Sequence, residues 1–192
     1  MELLDNSIVL ECRSDGISTI GTAFMANTKI TRFGELAYFT KVKTISNTQT
    51  FNGCTNLEYA DFVNITTMSG GTGTTGTAGC PLYYTKIKNL YLPNLVSLGM
   101  GPFNYNRGKL WNGSTITIGS SFSTISNQYA FGTQGIHIKL LATTPPTGSV
   151  LVTSNRAGAL LYVPDESVNA YKEAPAFANW VNYIKPISEC SW

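Results

Sequence analysis

The chain has 192 residues, which is enough for one domain with a sizeable hydrophobic core. Charged residues make up only 12% of it, whereas Gly, Thr, Ser and Asn are abundant, and this composition favours short strands and turns over long solvated helices. The formal net charge of +2 does not indicate a nucleic-acid partner, and no run of about 20 apolar residues is present to span a membrane. We therefore expect neither nucleic-acid binding nor membrane insertion.

The charges are unevenly distributed along the chain. Between Phe62 and Pro164 there is no Asp or Glu, but there are six basic residues: Lys86, Lys88, Arg107, Lys109, Lys139 and Arg156. One interpretation is an ordinary polar surface with scattered cations. The other is a binding face that tolerates anions.

Residues 1–27 are predicted to form an N-terminal cap segment. The opening residues Met1, Glu2, Leu3 and Leu4 do not combine a basic stretch with a long apolar stretch, so they do not indicate a secretory signal. We expect either that a signal has been removed or that the protein reaches its destination by another route, such as assembly into a larger particle.

The four cysteines, Cys12, Cys54, Cys80 and Cys190, show no CxxC spacing, so neither a zinc site nor a redox pair is predicted. Cys54 and Cys80 either pair across the intervening loop or remain buried free thiols, and the sequence leaves both possibilities open.

Internal repeats occupy residues 28–163. Residues 57–68 (LEYADFVNITTM) match residues 87–98 (IKNLYLPNLVSL) at an offset of 30, with coinciding apolar positions and a shared Asn. A Gly/Thr stretch at residues 69–79 separates them and is predicted to be a flexible loop. Looser copies contain Leu36, Phe39, Val42, Ile45, Ile116, Ile118, Phe122, Ile125, Ile136, Ile138, Leu140, Leu161 and Val163.

Each copy starts with an alternating stretch, typical of a strand with one buried face, followed by a second apolar set that turns the chain back under it. One such unit cannot cover its own apolar side, so successive units must stack. The repeats therefore predict a leucine-rich-repeat solenoid. Its short parallel strands would form one curved sheet, with loops and short helices on the convex side.

Residues 164–192 are predicted to form a C-terminal helical cap of the same domain. Asp165 and Glu166 follow Pro164 where a helix N-terminus favours negative charge, and Val168 and Tyr171 share a helical face. A second apolar cluster follows, consisting of Phe177, Trp180, Val181 and Ile184. Such a segment suits the shielding of a last repeat.

Several segments resemble one family of repeat proteins. They are residues 30–40 (ITRFGELAYFT), 51–57 (FNGCTNL), 141–146 (LATTPP), 161–172 (LYVPDESVNAYK) and 184–187 (IKPI). Together they resemble the BspA-like leucine-rich-repeat proteins of Bacteroides and related bacteria, over roughly residues 28–187. The resemblance implies a secreted or surface-displayed adhesion and recognition module. Related repeats in phages and mobile elements imply a virion-associated protein as the alternative.

Many members of that family carry an acidic calcium loop upstream of the repeats, and residues 12–18 (CRSDGIS) resemble a degenerate copy of that loop. Calcium needs oxygen ligands at alternating positions and a bidentate carboxylate at the end of the loop. Here Glu11, Arg13 and Thr22 occupy the corresponding places when the loop is counted back from Asp15. We therefore predict no calcium, no other metal and no cofactor.

The sequence does not predict an enzyme. His137 is the only histidine, and alternation places Ile136, Ile138 and Leu140 in the core with His137 and Lys139 outside. The acid-free stretch removes the carboxylate pair that a glycosidase requires, and Asp61 at its edge has no partner within the repeats. Carbohydrate binding remains compatible with the sequence, whereas carbohydrate hydrolysis does not.

A binding face can be deduced from the alternation. The residues between buried strand positions face outward on the concave sheet, and they are Tyr59, Asp61, Asn89, Tyr91, Thr115, Thr117, His137, Lys139 and Tyr162. Such residues suit recognition of a protein or a glycan, although an inert solvated face would have the same composition. The first hypothesis is therefore a recognition or adhesion module. The alternative is a structural component of a larger assembly, such as a phage virion or fibre, in which the face packs against neighbouring subunits of an oligomer.

Overall fold

A computed structural model describes residues 16–46, 50–70, 80–102, 115–131, 136–152 and 158–192. The described strands are β1 (Arg32–Phe33), β2 (Thr44–Ser46), β3 (Tyr59–Ala60), β4 (Thr67–Ser69), β5 (Asn89–Leu92), β6 (Ser97–Leu98), β7 (Thr115–Ile118), β8 (Thr124–Ile125), β9 (His137–Leu140), β10 (Thr147–Gly148), β11 (Leu161–Val163) and β12 (Ile184–Pro186). The described helices are α1 (Val168–Glu173) and short 3-10 segments at Gly34–Tyr38, Asp165–Ser167, Pro175–Tyr183 and Ile187–Glu189.

The strands form two parallel five-stranded sheets and one parallel two-stranded pair. The first sheet has the order β5-β7-β9-β11-β12, the second has the order β2-β4-β6-β8-β10, and β1 pairs with β3. Lys86, ahead of β5, donates its main-chain N–H to the carbonyl of Leu57, ahead of β3, at 2.8 Å. The β1–β3 pair therefore lies beside the β5 edge of the first sheet.

From β3 to β10 the chain visits the two sides in turn, so neighbouring strands within a sheet come from successive repeats. This order explains why all the pairings are parallel, because every repeat runs through its strands in the same direction.

The core is built from the buried positions of both sheets. On the first sheet Leu90 and Leu92 are buried while Asn89 and Tyr91 are exposed, and the same alternation continues through β7 and β9. The second sheet contributes Ile45, Met68, Leu98 and Ile125 to the same hydrophobic cluster. Each such side chain stabilises the fold by about 1.5–3 kcal/mol through burial alone.

The prediction of a single sheet is wrong, because the second apolar set of the repeats also forms strands. Residues 44–46, 67–69 and 124–126 read Thr-Ile-Ser, Thr-Met-Ser and Thr-Ile-Ser, with a buried apolar residue between two outward hydroxyl residues. This period of two is that of a half-buried strand. The coarser expectation, short parallel strands with few helices, is confirmed.

The Asn shared by the two best repeats connects successive repeats. The Asn64 side-chain amide donates to the carbonyl of Ala37 at 2.6 Å, and the Asn94 amide donates to the carbonyl of Val63 at 2.8 Å. Each bond satisfies a carbonyl that lies outside the strands. The coincidence in sequence therefore has a structural cause.

The C-terminal segment covers one end of the core and extends the first sheet. A helix is confirmed at Val168–Glu173, where Tyr171 is buried and its hydroxyl donates to the carbonyl of Ala142 at 2.8 Å. Phe177, Trp180 and Ile184 are also buried, whereas Val181 is 36% exposed, so its predicted place in that apolar cluster is wrong. β12 then pairs with β11.

Cys54 and Cys80 are buried and no disulfide joins them, which excludes pairing across the loop, one of the two possibilities that the sequence left open. The Cys54 Sγ lies 2.8 Å from the carbonyl of Phe24, and the Cys80 Sγ lies 3.4 Å from that of Gly101. Residues 12–15 of the segment that resembles a calcium loop, which include Cys12, and residues 71–79 of the Gly/Thr stretch lie outside the described residues.

Candidate binding surface

The outward side chains of the first sheet form two rows, because the parallel register aligns equivalent positions of successive strands. One row contains Asn89, Thr115 and His137, and the other contains Tyr91, Thr117, Lys139, Tyr162 and Lys185. Arg32 and Tyr59 are paired in register on the neighbouring β1–β3 pair. We call the surface made by these residues the outer face.

The predicted residues nearest the β5 edge are the exposed ones. Tyr91 is 55% exposed and Tyr59 is 38% exposed, so both present aromatic surface to solvent. The Arg32 guanidinium lies over the Tyr59 ring, 4.5 Å from its centroid. Asn89 Oδ1 accepts a hydrogen bond from the Thr115 hydroxyl at 2.8 Å, which orients the Asn89 amide so that its N–H groups are left to donate elsewhere.

A basic cleft lies at this edge of the outer face. Its volume is about 520 Å³, and it is lined by Arg32, Glu58, Tyr59, Lys86, Lys88 and Asn89. Three of these side chains are cationic and one is anionic. Within the described residues no ion pair shorter than 4.0 Å joins Glu58 to any of the three cations. The Lys86 ammonium instead donates to Asn56 Oδ1 at 2.9 Å.

An aromatic cleft adjoins the basic cleft, and Asn89 lines both. It has a volume of about 270 Å³, with Tyr91 and Trp192 among its walls and Leu90, Thr115 and Thr117 completing its lining. The sequence pattern did not predict Trp192, because it belongs to no repeat and reaches the outer face only through the fold.

Tyr162 is buried, so the prediction that it lies exposed on this face is wrong. Only 7% of its surface is accessible, and its ring packs edge-on against Trp192 with centroids 6.1 Å apart. The alternation placed Tyr162 on the correct side of the sheet. Burial comes from the segment after β12, which folds back over β11.

Lys139 also contacts Trp192. Its ammonium donates to the main-chain oxygen of Trp192 at 2.8 Å and lies 4.5 Å from the centroid of the indole ring. Such a cation–π contact is worth about 0.5–1 kcal/mol at an exposed site. Lys139 therefore holds Trp192 in place on the outer face.

Asp61 and His137, two other predicted residues, do not line either cleft. Asp61 follows β3, and its Oδ1 accepts the N–H of Val63 at 3.0 Å, which stabilises the turn there. His137 is half-buried, and its Nδ1 is buried without a hydrogen-bond partner among the described residues. Of the nine predicted residues, the structure brings Tyr59, Asn89, Tyr91, Thr115 and Thr117 together around the two clefts.

The outer face combines several kinds of chemical group. Its cations, aromatic rings, amide and hydroxyls offer contact area and directed hydrogen bonds. In the part of the chain that the structure describes, no group of three or more His, Cys, Asp or Glu is placed to hold a metal ion, and no helix is long and apolar enough to cross a membrane. Neither a scan against models of protein families nor a search of curated proteins finds a match for this sequence.

Proposed function

We propose that this chain is a non-catalytic recognition module that binds a protein or glycan partner through the outer face. The observation that carries the proposal is the pair of adjoining clefts, in which exposed aromatic rings stand beside oriented hydrogen-bonding groups. Concave sites of this kind, with a few fixed polar groups, are the usual form of binding sites.

The same proposal includes the architecture, a short leucine-rich-repeat solenoid of the BspA-like type. Three features support it: the 30-residue offset between the best repeats, the regular alternation between two parallel sheets, and the Asn bonds between successive repeats. Display at a cell surface or outside the cell is part of this proposal.

Tyr91 is the best residue for a test, because it is the most exposed ring of the outer face and contributes to no buried cluster. We expect Tyr91→Ala to weaken binding to whichever partner the unaltered protein selects from an array of glycans and extracellular-matrix proteins. Large exposed tyrosines are frequent binding hot spots, and truncation costs about 2 kcal/mol or more, or roughly thirtyfold in affinity.

Tyr129→Ala is the matched control. Tyr129 is 37% exposed and lines neither cleft. Equal loss of binding by both variants, or no loss by Tyr91→Ala, would contradict the proposal. Light scattering on the unaltered protein tests the alternative: a defined oligomer in which the outer face is buried favours a structural component of a larger assembly.

A further inference from the structure

We infer that the partner is an anionic polysaccharide, with an acidic sugar in the basic cleft and the sugar chain continuing into the aromatic cleft. This inference rests on the proposed function, since it names the class of partner that the outer face binds. Charge, preorganisation and the aromatic lining of the clefts each contribute to it.

The charge of the basic cleft selects an anion. Arg32, Lys86 and Lys88 face one carboxylate, Glu58, so the lining carries an excess of positive charge. In the sequence this excess has no nearby compensation on the C-terminal side, since no Asp or Glu occurs between Phe62 and Pro164. A cleft with walls of low dielectric constant concentrates the field of such charges on a ligand.

Two of the cations are already oriented. Stacking on Tyr59 restrains Arg32, and the hydrogen bond to Asn56 restrains Lys86. A free lysine or arginine loses side-chain entropy when it grips a ligand, so restraint before binding reduces that cost. The Arg32 guanidinium in addition offers the planar pair of donors that matches a carboxylate or a sulfate.

The neighbouring groups favour a sugar over an acidic peptide. Tyr91 and Trp192 present aromatic surface to the aromatic cleft, and the apolar C–H face of a sugar ring packs on such surface. Thr115, Thr117 and the Asn89 amide offer donors and acceptors suited to hydroxyl groups. Since Asn89 lines both clefts, consecutive sugars of one chain can occupy them together.

The test measures retention of the purified protein on immobilised polygalacturonate, an acidic polysaccharide, with dextran as the neutral polysaccharide and polyglutamate as the acidic peptide. We expect retention on polygalacturonate at low salt that high salt weakens, because exposed charges are screened. Retention on dextran and polyglutamate should be much weaker. The double variant Lys86→Gln/Lys88→Gln should lose about tenfold or more in affinity for polygalacturonate, through the loss of two charge contacts.

The double variant Lys41→Gln/Lys172→Gln is the control for net charge, because neither lysine lines a cleft. Equal weakening by both double variants overturns the inference, since binding would then follow overall charge. Equal retention on dextran or on polyglutamate, or no retention on polygalacturonate, overturns it as well. If Lys86→Gln disturbs folding, seen by circular dichroism, Arg32→Gln with Lys88→Gln replaces the first pair.

The outcomes distinguish a failure of this inference from a failure of the proposed function. Binding of a neutral glycan or a protein that Tyr91→Ala removes would leave the recognition module intact while excluding the anionic polysaccharide. If Lys86→Gln/Lys88→Gln weakens retention on polygalacturonate but Tyr91→Ala does not, the anion binds in the basic cleft alone. That result would overturn both the continuation into the aromatic cleft and the role of Tyr91 in the proposed function.

Discussion

Burial changes the pKa values of two cysteine thiols, Cys54 and Cys80. Burial raises the pKa of Cys80 to about 11, and burial also raises the pKa of Cys54, where a main-chain hydrogen bond from Asn27 acts in the opposite direction. A raised thiol pKa keeps the neutral form, whereas the thiolate is the reactive form. The two side chains therefore behave as small apolar groups of the core.

We predict that neither Cys54 nor Cys80 reacts with a thiol reagent in the folded protein at about pH 8, where an ordinary exposed cysteine is partly ionised. Unfolding in urea should make both reactive. Mass spectrometry of labelled peptides checks this, with Cys190, which is only half-buried, as an internal comparison. Labelling of Cys80 in the native protein as fast as that of Cys190 would show that the site is open to solvent.

Trp192 determines whether Tyr162 is accessible. Removing the indole by Trp192→Ala eliminates the edge-on contact with Tyr162 and the contact with the Lys139 ammonium. We predict a loss of about 1–2 kcal/mol in the free energy of unfolding, from the aromatic and cation–π contacts together.

The same variant should make Tyr162 susceptible to nitration by tetranitromethane, which peptide mapping detects. Tyr171 provides the control, because it is fully buried and does not contact Trp192. Nitration of Tyr162 in the unaltered protein would disagree with the structure.

At the scale of elements, the distance between equivalent strands of successive repeats is limited by close backbone contacts. Gly119 directly follows β7, and its N–H donates to the carbonyl of Leu92 at the end of β5, at 3.0 Å. A Cβ at this position would collide with the carbonyl oxygen of Pro93. A side chain here cannot be accommodated unless the backbone between β5 and β7 shifts.

We predict that Gly119→Ala lowers the free energy of unfolding by about 1–3 kcal/mol or more, as overpacking of a tight contact does. Denaturant unfolding measures it. Gly16→Ala is the control, because nothing lies within 4 Å of the Cβ that it would add. Equal stabilities of the two variants would mean that the contact between Gly119 and Pro93 is less tight than described.

The sequence predicts those strands in which the alternation of buried and outward residues is long enough to be recognised. The four-residue strands β5, β7 and β9 show two full alternations, and their buried and outward residues follow from the pattern. The strands of the second sheet are two or three residues long, so their pattern resembles a turn and was missed. Their pairing depends on stacking between repeats, a non-local effect.

The candidate site was predictable only in part for the same reason. The outward positions Tyr59, Asn89 and Tyr91 follow from alternation, but the basic cleft combines residues that precede β3 and β5 with Arg32 of β1. A signal existed: Glu58 and Lys88 are equivalent at the offset of 30 and therefore adjacent in the fold. No comparable signal places Trp192 over Tyr162, because that contact joins the first sheet to a segment outside the repeats.

For the whole molecule, the described strands of the repeats pair with equivalent strands of neighbouring repeats. Removal of one complete repeat would preserve the pairing rule, whereas a change within a strand affects two interfaces. The same holds for the outer face. Its rows exist only while the repeats remain in register.

The strand that closes the first sheet also limits how copies of the protein can join. β12 is three residues long and ends at Pro186, which lacks an amide hydrogen. The 3-10 segment Ile187–Glu189 follows, and in it the Ser188 N–H donates to the Asp165 carboxylate at 3.0 Å. Short, proline-containing edges are poor templates for further strands. Growth of a fibril by adding copies at this edge is therefore disfavoured, and an assembly that uses this end of the first sheet has to be built through side-chain contacts.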